Sequence, residues 1–216
     1  MTPKAAHLDV CLYGADLRLR LLSPTSDTTY LVSSHQLCSS SSVFRNTIDQ
    51  GHHTFDVQKE HRSRATKDFF ELLLSRQDPV AFGIVLYVLH ARPDKLPESL
   101  SFETLLEIAS VCDVYQCAPA MRLWDEIWMR PWRERALDPG YENWIFIAWV
   151  FDVPDVFGRL SKELIMNGIV HGGWFSVVRS NAEPVRLDGR IHEKIISPRS
   201  LGVEDINPIL ISQQER

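Results

Sequence analysis

Histidine and cysteine are the residues of this sequence best suited to metal binding or nucleophilic catalysis, so their spacing decides what chemistry to expect. Cys112 and Cys117 stand five positions apart, and Cys38 follows His35 by three. A zinc site commonly needs two close pairs of ligands, and each of these pairs is alone in its stretch of sequence. Neither pair predicts a metal centre. The four cysteines of the chain are instead expected to be reduced, mostly buried thiols.

A second candidate for chemistry is the His-Gly-Gly-Trp segment at 171–174, which is similar to the oxyanion loop of lipases. Such a loop requires a Gly-x-Ser-x-Gly nucleophile elbow, and the sequence contains none. It contains no Walker or Gly-x-Gly-x-x-Gly phosphate-binding motif either. The glycine pair is expected to end a helix. We therefore expect no enzyme activity; the alternative is a small soluble enzyme whose site joins distant residues such as His35, Asp113 and His171.

Residues 49–67 form a polar stretch that is rich in histidine and in basic residues. The histidines raise the alternative of a metal site, and the basic residues that of a phosphate-binding patch. Neither has the ligand spacing, nor the interleaved aromatic residues, that such sites use. We predict a solvated loop here, and no bound metal or cofactor.

The balance of charged and apolar residues predicts a soluble globular protein. Hydrophobic residues make up 44% and charged residues 24% of the chain, and the formal net charge is −5. A negative surface disfavours binding to nucleic-acid phosphates. The longest apolar runs, Val80–Leu89 and Trp144–Phe151, are shorter than the ~20 residues of a membrane helix. With no apolar signal segment near the N-terminus, the expected location is intracellular, cytoplasmic or nuclear.

The elements that would position these residues begin with a strand, a turn, a second strand and a helix over 16–48. Leucine alternates with arginine in Asp16–Leu22, which is the pattern of a half-buried strand, and Thr28–Val32 suits the returning strand. A serine at position 33 or 34 would cap the helix with its hydroxyl. The inward stripe of that helix is predicted to be Leu37, Ser41, Phe44 and Ile48. Another strand is expected within Leu8–Tyr13, in a short lead over residues 1–15.

Helices dominate the next part of the chain. Phe69–Leu74 is expected to be an interior strand, and Asp78 with Pro79 starts a helix that runs to about Arg92. Because almost every residue of this helix is apolar, it should be buried on most sides. Two more helices should bury Leu105, Ile108, Ala109, Cys112 and Tyr115 in the first, and Ala120, Leu123, Trp124, Ile127 and Trp128 in the second.

A seam rich in proline and charge at 129–140 separates this part from the rest. Beyond it, Tyr141–Phe151 and Val156–Asn167 predict helices, the second capped by Asp155 and ended by Gly168. Residues 170–178 are expected to be extended, and Pro184–Ile196 should form a last helix.

The six tryptophans all lie after position 120. Trp124, Trp128, Trp144 and Trp149 fall on helical patterns and are expected in the core. Trp132 lies in the seam beside proline and arginine. Because aromatic and arginine side chains are favoured at protein interfaces, it is a candidate partner contact.

The stretch over 16–48 resembles the start of a BTB/POZ domain of the fungal type. The matching residues are Asp16-Leu17-Arg18-Leu19, Val32-Ser33-Ser34, Leu37-Cys38 and Ser41-Ser42-Val43-Phe44-Arg45, followed by Ala109–Cys117. The resemblance implies an α+β fold in which short β-strands are capped by helical hairpins. It places this domain at 16–130, after the lead at 1–15 and before a helical C-terminal extension at 131–216.

The resemblance also implies a function, because BTB/POZ domains are protein-interaction modules. Many form homodimers, and some are transcriptional repressors or cullin-3 adaptors. Repressor-type dimers build a charged pocket from an aspartate and a basic residue after the helix-start histidine; Asp16 matches the aspartate, but Ser33 and Ser34 replace the other two. In cullin-3 adaptors a glutamate follows two residues after an apolar one, and neither Phe55 nor Val57 has it.

We therefore expect a non-catalytic interaction protein of BTB/POZ type that self-associates or serves as an adaptor. Its partner is expected to be a protein, including a second copy of itself, and not nucleic acid or a membrane. The candidate partner-binding residues are Asp16, Ser33, Ser34, Phe55 and Trp132. A cullin-3 adaptor with a degenerate motif is a further alternative, beside the small enzyme.

Overall fold

The computed structural model describes residues 4–11, 14–22, 26–49, 70–75, 78–171, 174–177 and 185–186. The chain divides into two compact units, Met1–Trp132 and Arg133–Arg216. Helices and strands occur in both, so the predicted α+β class is confirmed. The finer assignment to the BTB/POZ fold stays a prediction. The loop predicted within 49–67 lies outside the described residues from position 50 onward, as does Phe55.

The first unit contains a four-stranded sheet in the order β1-β3-β2-β4. Its strands are β1 (Lys4–Asp9), β2 (Leu17–Leu22), β3 (Ser26–Val32) and β4 (Phe70–Ser75). Strands β2 and β3 form the predicted antiparallel hairpin, while β1 runs parallel to β3 and β4 runs parallel to β2. The alternation in β2 has the expected result, because its leucines at 17, 19 and 21 are buried while Arg18 and Arg20 face the other side and meet Glu71.

Two expectations about strands are corrected. The N-terminal strand occupies Lys4–Asp9 rather than Leu8–Tyr13, so much of the expected lead belongs to the sheet. Phe70–Ser75 is an edge strand of the described sheet rather than an interior one. Its Leu73 is 62% exposed, because it pairs with Arg20 and lies on the same outward face of the sheet as Glu71.

The helix predicted after the hairpin is two short helices, α1 (Ser34–Ser40) and α2 over residues 42–49. Ser41 between them has extended backbone. Its hydroxyl donates to the Tyr115 carbonyl and accepts from the Phe44 N–H at 3.0 Å. The four stripe residues are nevertheless buried as predicted. The Phe44 ring stacks on that of Tyr115, with centroids 4.4 Å apart, so both short helices are anchored to the core.

Helix α3 (Pro79–Leu89) begins as predicted, since the Asp78 carboxylate accepts from the Ala81 N–H at 2.8 Å. The helix is buried at Ala81–Leu86 and Leu89, whereas Val80 is 64% exposed. It ends earlier than expected, because Ala91 takes a positive φ of 52° and turns the chain away. A single 3-10 turn at Pro93–Lys95 follows.

Helix α4 (Phe102–Tyr115) is capped by the Ser101 hydroxyl and buries its predicted stripe. A 3-10 turn at Ala118–Met121 then leads into helix α5 (Arg122–Arg133), which continues through Pro131. The stripe predicted for α5 is right at Trp128, which is buried, and wrong at Leu123 and Ile127, which are 69% and 40% exposed. Asp125 and Met129 are buried beside Trp128.

The orientation of α5 follows from two indole N–H groups one turn apart. Trp128 Nε1 donates to the Pro97 carbonyl at 2.9 Å, and Trp132 Nε1 donates to the Leu100 carbonyl at 3.2 Å. A large ring with a polar tip is best placed where the ring is covered and the tip has an acceptor. The segment before α4 offers both, and turning these rings toward it points Leu123 outward.

The second unit contains α6 (Trp144–Val150), α7 (Pro154–Asn167) and a three-stranded sheet in the order β5-β6-β7. Its strands are β5 (Gly168–His171), β6 (Trp174–Val177) and β7 (Val185–Arg186), paired antiparallel. The described part of the extension predicted at 131–216 thus contains strands as well as helices. The extended segment predicted within 170–178 is confirmed for its described residues.

Several details of the second unit differ from expectation. Helix α7 ends at Asn167, directly before Gly168 as predicted, but Gly168 is also the first residue of β5. His171 pairs with Trp174 across the sheet, and the glycine pair at 172–173 lies outside the described residues. Asp155 lies inside the first turn of α7 rather than at its cap. Residues 185–186 form a strand where a helix was expected, and Trp149 is 37% exposed.

The Asp78 cap should contribute measurably to folding. We expect Asp78→Ala to lower the free energy of unfolding by about 1 kcal/mol, because the Ala81 N–H loses its acceptor. The matched control is Asp78→Asn, whose amide oxygen keeps that acceptor and should retain most of the stability. Urea denaturation followed by circular dichroism measures both. Equal losses in the two variants would contradict the capping role.

Candidate functional site

Three of the sequence-predicted partner-binding residues meet where the hairpin enters α1. The exposed carboxylate of Asp16 accepts hydrogen bonds from the Ser34 N–H at 2.7 Å and from the Ser34 hydroxyl at 2.6 Å. Ser33 is the N-cap residue, but its side chain makes no capping hydrogen bond. The helix start is therefore held by a carboxylate from the strand side, and not by the serine hydroxyl that the sequence predicted.

His90 completes this junction from the end of α3. The Ser33 N–H donates to His90 Nε2 at 3.0 Å, and His90 Nδ1 lies 2.8 Å from the Leu86 carbonyl oxygen. Since a carbonyl only accepts, Nδ1 carries the proton and Nε2 is the acceptor, which requires a neutral ring. Burial lowers the pKa of His90, and the negative charge of Asp16 opposes that shift in part.

This polar junction joins the hairpin, α1 and α3. The hydrogen bonds of the Asp16 carboxylate and the His90 imidazole described above connect these elements to one another. Its geometry assigns Asp16, Ser33 and Ser34 a role in holding the fold together. Their role in partner binding remains a prediction from the resemblance.

An apolar groove opens between the sheet and α3, and we call it the β1–α3 groove. Its volume is about 540 Å³. The sheet contributes Leu8, Thr28 and Tyr30, and the helix contributes residues from Pro79 to Tyr87. The Tyr30 hydroxyl donates to the Pro79 carbonyl at 2.7 Å, which fixes that ring in the floor. Leu8, at 36%, and Val80, at 64%, carry exposed apolar surface at the mouth.

Arg92 binds Asp94, which lines the β1–α3 groove, and links it to the end of β1. Its Nε and Nη2 donate to the two oxygens of Asp94 at 2.9 and 2.8 Å, and its Nη1 donates to the Val10 carbonyl at 3.1 Å. The hydrogen bonds from Arg92 hold the pKa of Asp94 below its usual value. Lys95, also in the groove lining, is exposed and forms no ion pair within the described residues.

A second apolar surface lies on α5, and we call it the α5 face. Leu123 and Ile127 are one turn apart and exposed, and Pro131 continues the same row. Exposed Arg122, Glu126 and Arg130 run beside the row. Sequence reasoning missed this face because it placed the apolar row in the core. The available signal was the Trp128–Trp132 spacing, which predicts a buried row on the opposite side of the helix.

Trp132, the candidate anchor from the seam, is half-buried on α5. Its ring lies 5.9 Å from that of Phe102, and its N–H is engaged by Leu100 as described above. The geometry therefore gives Trp132 a packing role within the first unit.

The cysteines show the character expected of structural thiols. None of the four forms a disulfide; Cys112 and Cys117 are buried, and Cys11 and Cys38 are half-buried. Burial raises the pKa of the Cys112 thiol, which keeps it protonated and a poor nucleophile. Within the described ranges, no three His, Cys, Asp or Glu side chains group as metal ligands. Of the residues in the enzyme alternative, His35 lies on α1 and Asp113 on α4, while His171 belongs to the other unit.

Comparison with known proteins supplies no family for this chain. No model of a protein family matches it, and no curated protein matches it in sequence. In the part of the chain that the structure describes, every helix is too short or too polar to cross a bilayer.

The neutral His90 ring makes stability depend on pH. Its pKa is lowered in the folded chain, so the unfolded chain binds the proton more tightly and acid favours unfolding. We expect full stability above about pH 6.5 and a loss of at most about 1.4 kcal/mol per pH unit below it. Titration of the His90 ring by nuclear magnetic resonance gives the folded-state pKa directly. A midpoint at or above the ordinary histidine value would contradict the buried neutral ring.

Proposed function

We propose that this chain is a non-catalytic protein-interaction module of BTB/POZ type that self-associates through the α5 face. The observation that carries the proposal is the exposure of Leu123 and Ile127 on that helix. Single exposed apolar residues are common on protein surfaces, but a contiguous apolar row such as this one is typical of an interaction site.

The order of elements supports the family part of the proposal. A strand hairpin, two short helices and a strand parallel to β2 precede the helices α3, α4 and α5. This is the order of strand hairpin followed by helical hairpins that the resemblance implies. Phe44 and Tyr115 come from the two matching stretches of sequence, and their rings stack in the core. The two motifs thus meet in a single packing contact.

The charges beside the α5 face favour a second copy as the occupant. Glu126 lies one turn from Arg122 on one side and one turn from Arg130 on the other. When two such helices pair antiparallel about a two-fold axis, the same flank of each meets the other, so Glu126 of one copy can lie near an arginine of its partner. The apolar row then packs against itself, as in an isologous interface.

Self-association can be tested by one substitution on the α5 face. Leu123→Asp should yield a monomer, because a buried interface cannot accept an unpaired charge. The new aspartate lies in the first turn of α5, where a negative charge favours the helix, so the fold should survive. The wild type should sediment as a dimer at concentrations up to about 100 µM, a range in which even weak dimers form.

The matched control is Val114→Asp, which places the same charge on an apolar residue that is 48% exposed on α4. It should sediment as the wild type does. A monomeric wild type, or a dimer that Leu123→Asp leaves intact, would remove the α5 face from the proposal. Circular dichroism of all three proteins checks that each is folded.

A further inference from the structure

The outer edge of β1 borders the β1–α3 groove. Strand β1 pairs with β3 along one side only and stands at the end of the sheet order within the described residues. The outward backbone groups of an edge strand are available to a further strand. Leu8 of β1 points to the groove side, so its neighbours His7 and Asp9 point to the opposite face.

A strand added beside β1 would therefore send alternate side chains toward the groove. Those side chains would meet Leu8 from the sheet and Val80 from α3, the two apolar residues exposed at its mouth. The other side chains of the added strand would point to the face that carries His7 and Asp9, where polar residues are expected because that face is exposed. Main-chain hydrogen bonds and a pocket for alternate side chains together are the requirements for peptide binding by strand addition.

The charges at the end of the groove determine which peptide is favoured. Asp94 is already neutralised by the two hydrogen bonds from Arg92. Lys95 lines the same groove and has no ion pair within the described residues, so its positive charge is the one left for a ligand. Arg92, which precedes the 3-10 turn containing Lys95, donates to the Val10 carbonyl, so this turn begins beside the C-terminal end of β1.

We propose that the β1–α3 groove binds an extended peptide that adds as a strand to the outer edge of β1, places apolar side chains between Leu8 and Val80, and pairs an acidic group with Lys95. The peptide requires alternating apolar residues and a carboxylate near one end. That carboxylate belongs to an aspartate or glutamate side chain or to the chain terminus. The inference rests on the proposed role as an interaction module, but it uses a surface separate from the α5 face.

Phage-displayed random peptides of about eight residues, longer than the six-residue β1, serve as the probe. Selection on the wild type should enrich sequences in which apolar residues alternate and an acidic residue stands near one end. Selection on the Lys95→Glu variant should enrich peptides with a basic residue at the position of that acidic residue. Enriched apolar residues at helical spacing, or no enrichment above background, would overturn the proposal.

An enriched peptide is then synthesised with a fluorophore and titrated by fluorescence polarisation. Val80→Asp should weaken binding by more than about tenfold, since it puts a charge in the apolar mouth. Lys95→Glu should weaken it by about fivefold, the scale of an exposed ion pair replaced by repulsion. Val114→Asp is the matched control and should leave the affinity unchanged. Val80 lies in the first turn of α3, where aspartate is tolerated, so loss of binding would not reflect loss of the helix.

Methylation of single peptide nitrogens tests the strand geometry itself. Methyl groups on the amides that face β1 should abolish binding, while those on the alternate amides should be tolerated. Equal effects at all positions would contradict strand addition. A peptide with an amidated C-terminus distinguishes a terminal carboxylate from an acidic side chain.

The same titration on Leu123→Asp separates this inference from the self-association proposal. Retained peptide binding by the monomeric variant supports the groove independently. If the wild type proves monomeric yet binds the peptides, only the α5 proposal fails. If it dimerises and selects no peptide, only the groove proposal fails.

Discussion

Helix α3 is the element on which the first unit depends, because nearly every side chain it carries is apolar. A helix without a polar face must be covered from several directions at once. Tyr30 of the sheet contacts Phe82 edge-on at 5.6 Å between ring centroids, and Tyr115 of α4 approaches the same ring at 5.6 Å. Phe44 of α2 stacks on Tyr115 in turn. These rings link the sheet, the short helices and α4 around one side chain of α3.

The two ends of α3 differ in burial: its first turn is exposed at Val80 beside the β1–α3 groove, whereas polar residues just after its last turn are buried. At the start, the Asp78 cap turns the chain so that Val80 projects outward and opens the β1–α3 groove. After its last turn, His90 and Arg92 are buried; His90 accepts a hydrogen bond from the Ser33 N–H, and Arg92 donates one to the Val10 carbonyl. Buried polar groups of this kind are tolerated because each has a partner. The β1–α3 groove thus lies beside the exposed first turn of this apolar helix.

Local sequence signals predicted the parts of the fold that depend on local physics. The alternation in Asp16–Leu22, the Asp78-Pro79 start and the α4 stripe all appear as expected, because each follows from backbone periodicity or capping within a few residues. The prediction that Leu123 and Ile127 of α5 face the core was wrong, because the orientation of α5 is set by hydrogen-bond acceptors at Pro97 and Leu100, far away in the chain. The break at Ser41 likewise depends on the distant Tyr115 carbonyl. The sequence singled out both Asp16 and Ser34 as candidate site residues, and the structure places them in contact. Their hydrogen bond was not predictable, because it forms where the start of β2 meets the start of α1, and periodicity gives no information about such contacts.

The parallel pairing of β1 with β3 has a consequence for the order in which the sheet is built. Strand β1 is synthesised before β2, but its partner β3 follows only after β2 has been made. The hairpin of β2 and β3 forms from neighbouring residues, whereas the pairing of β1 with β3 spans a longer stretch of chain. We therefore expect β1 to join the sheet after the hairpin has formed, although it precedes the hairpin in the chain.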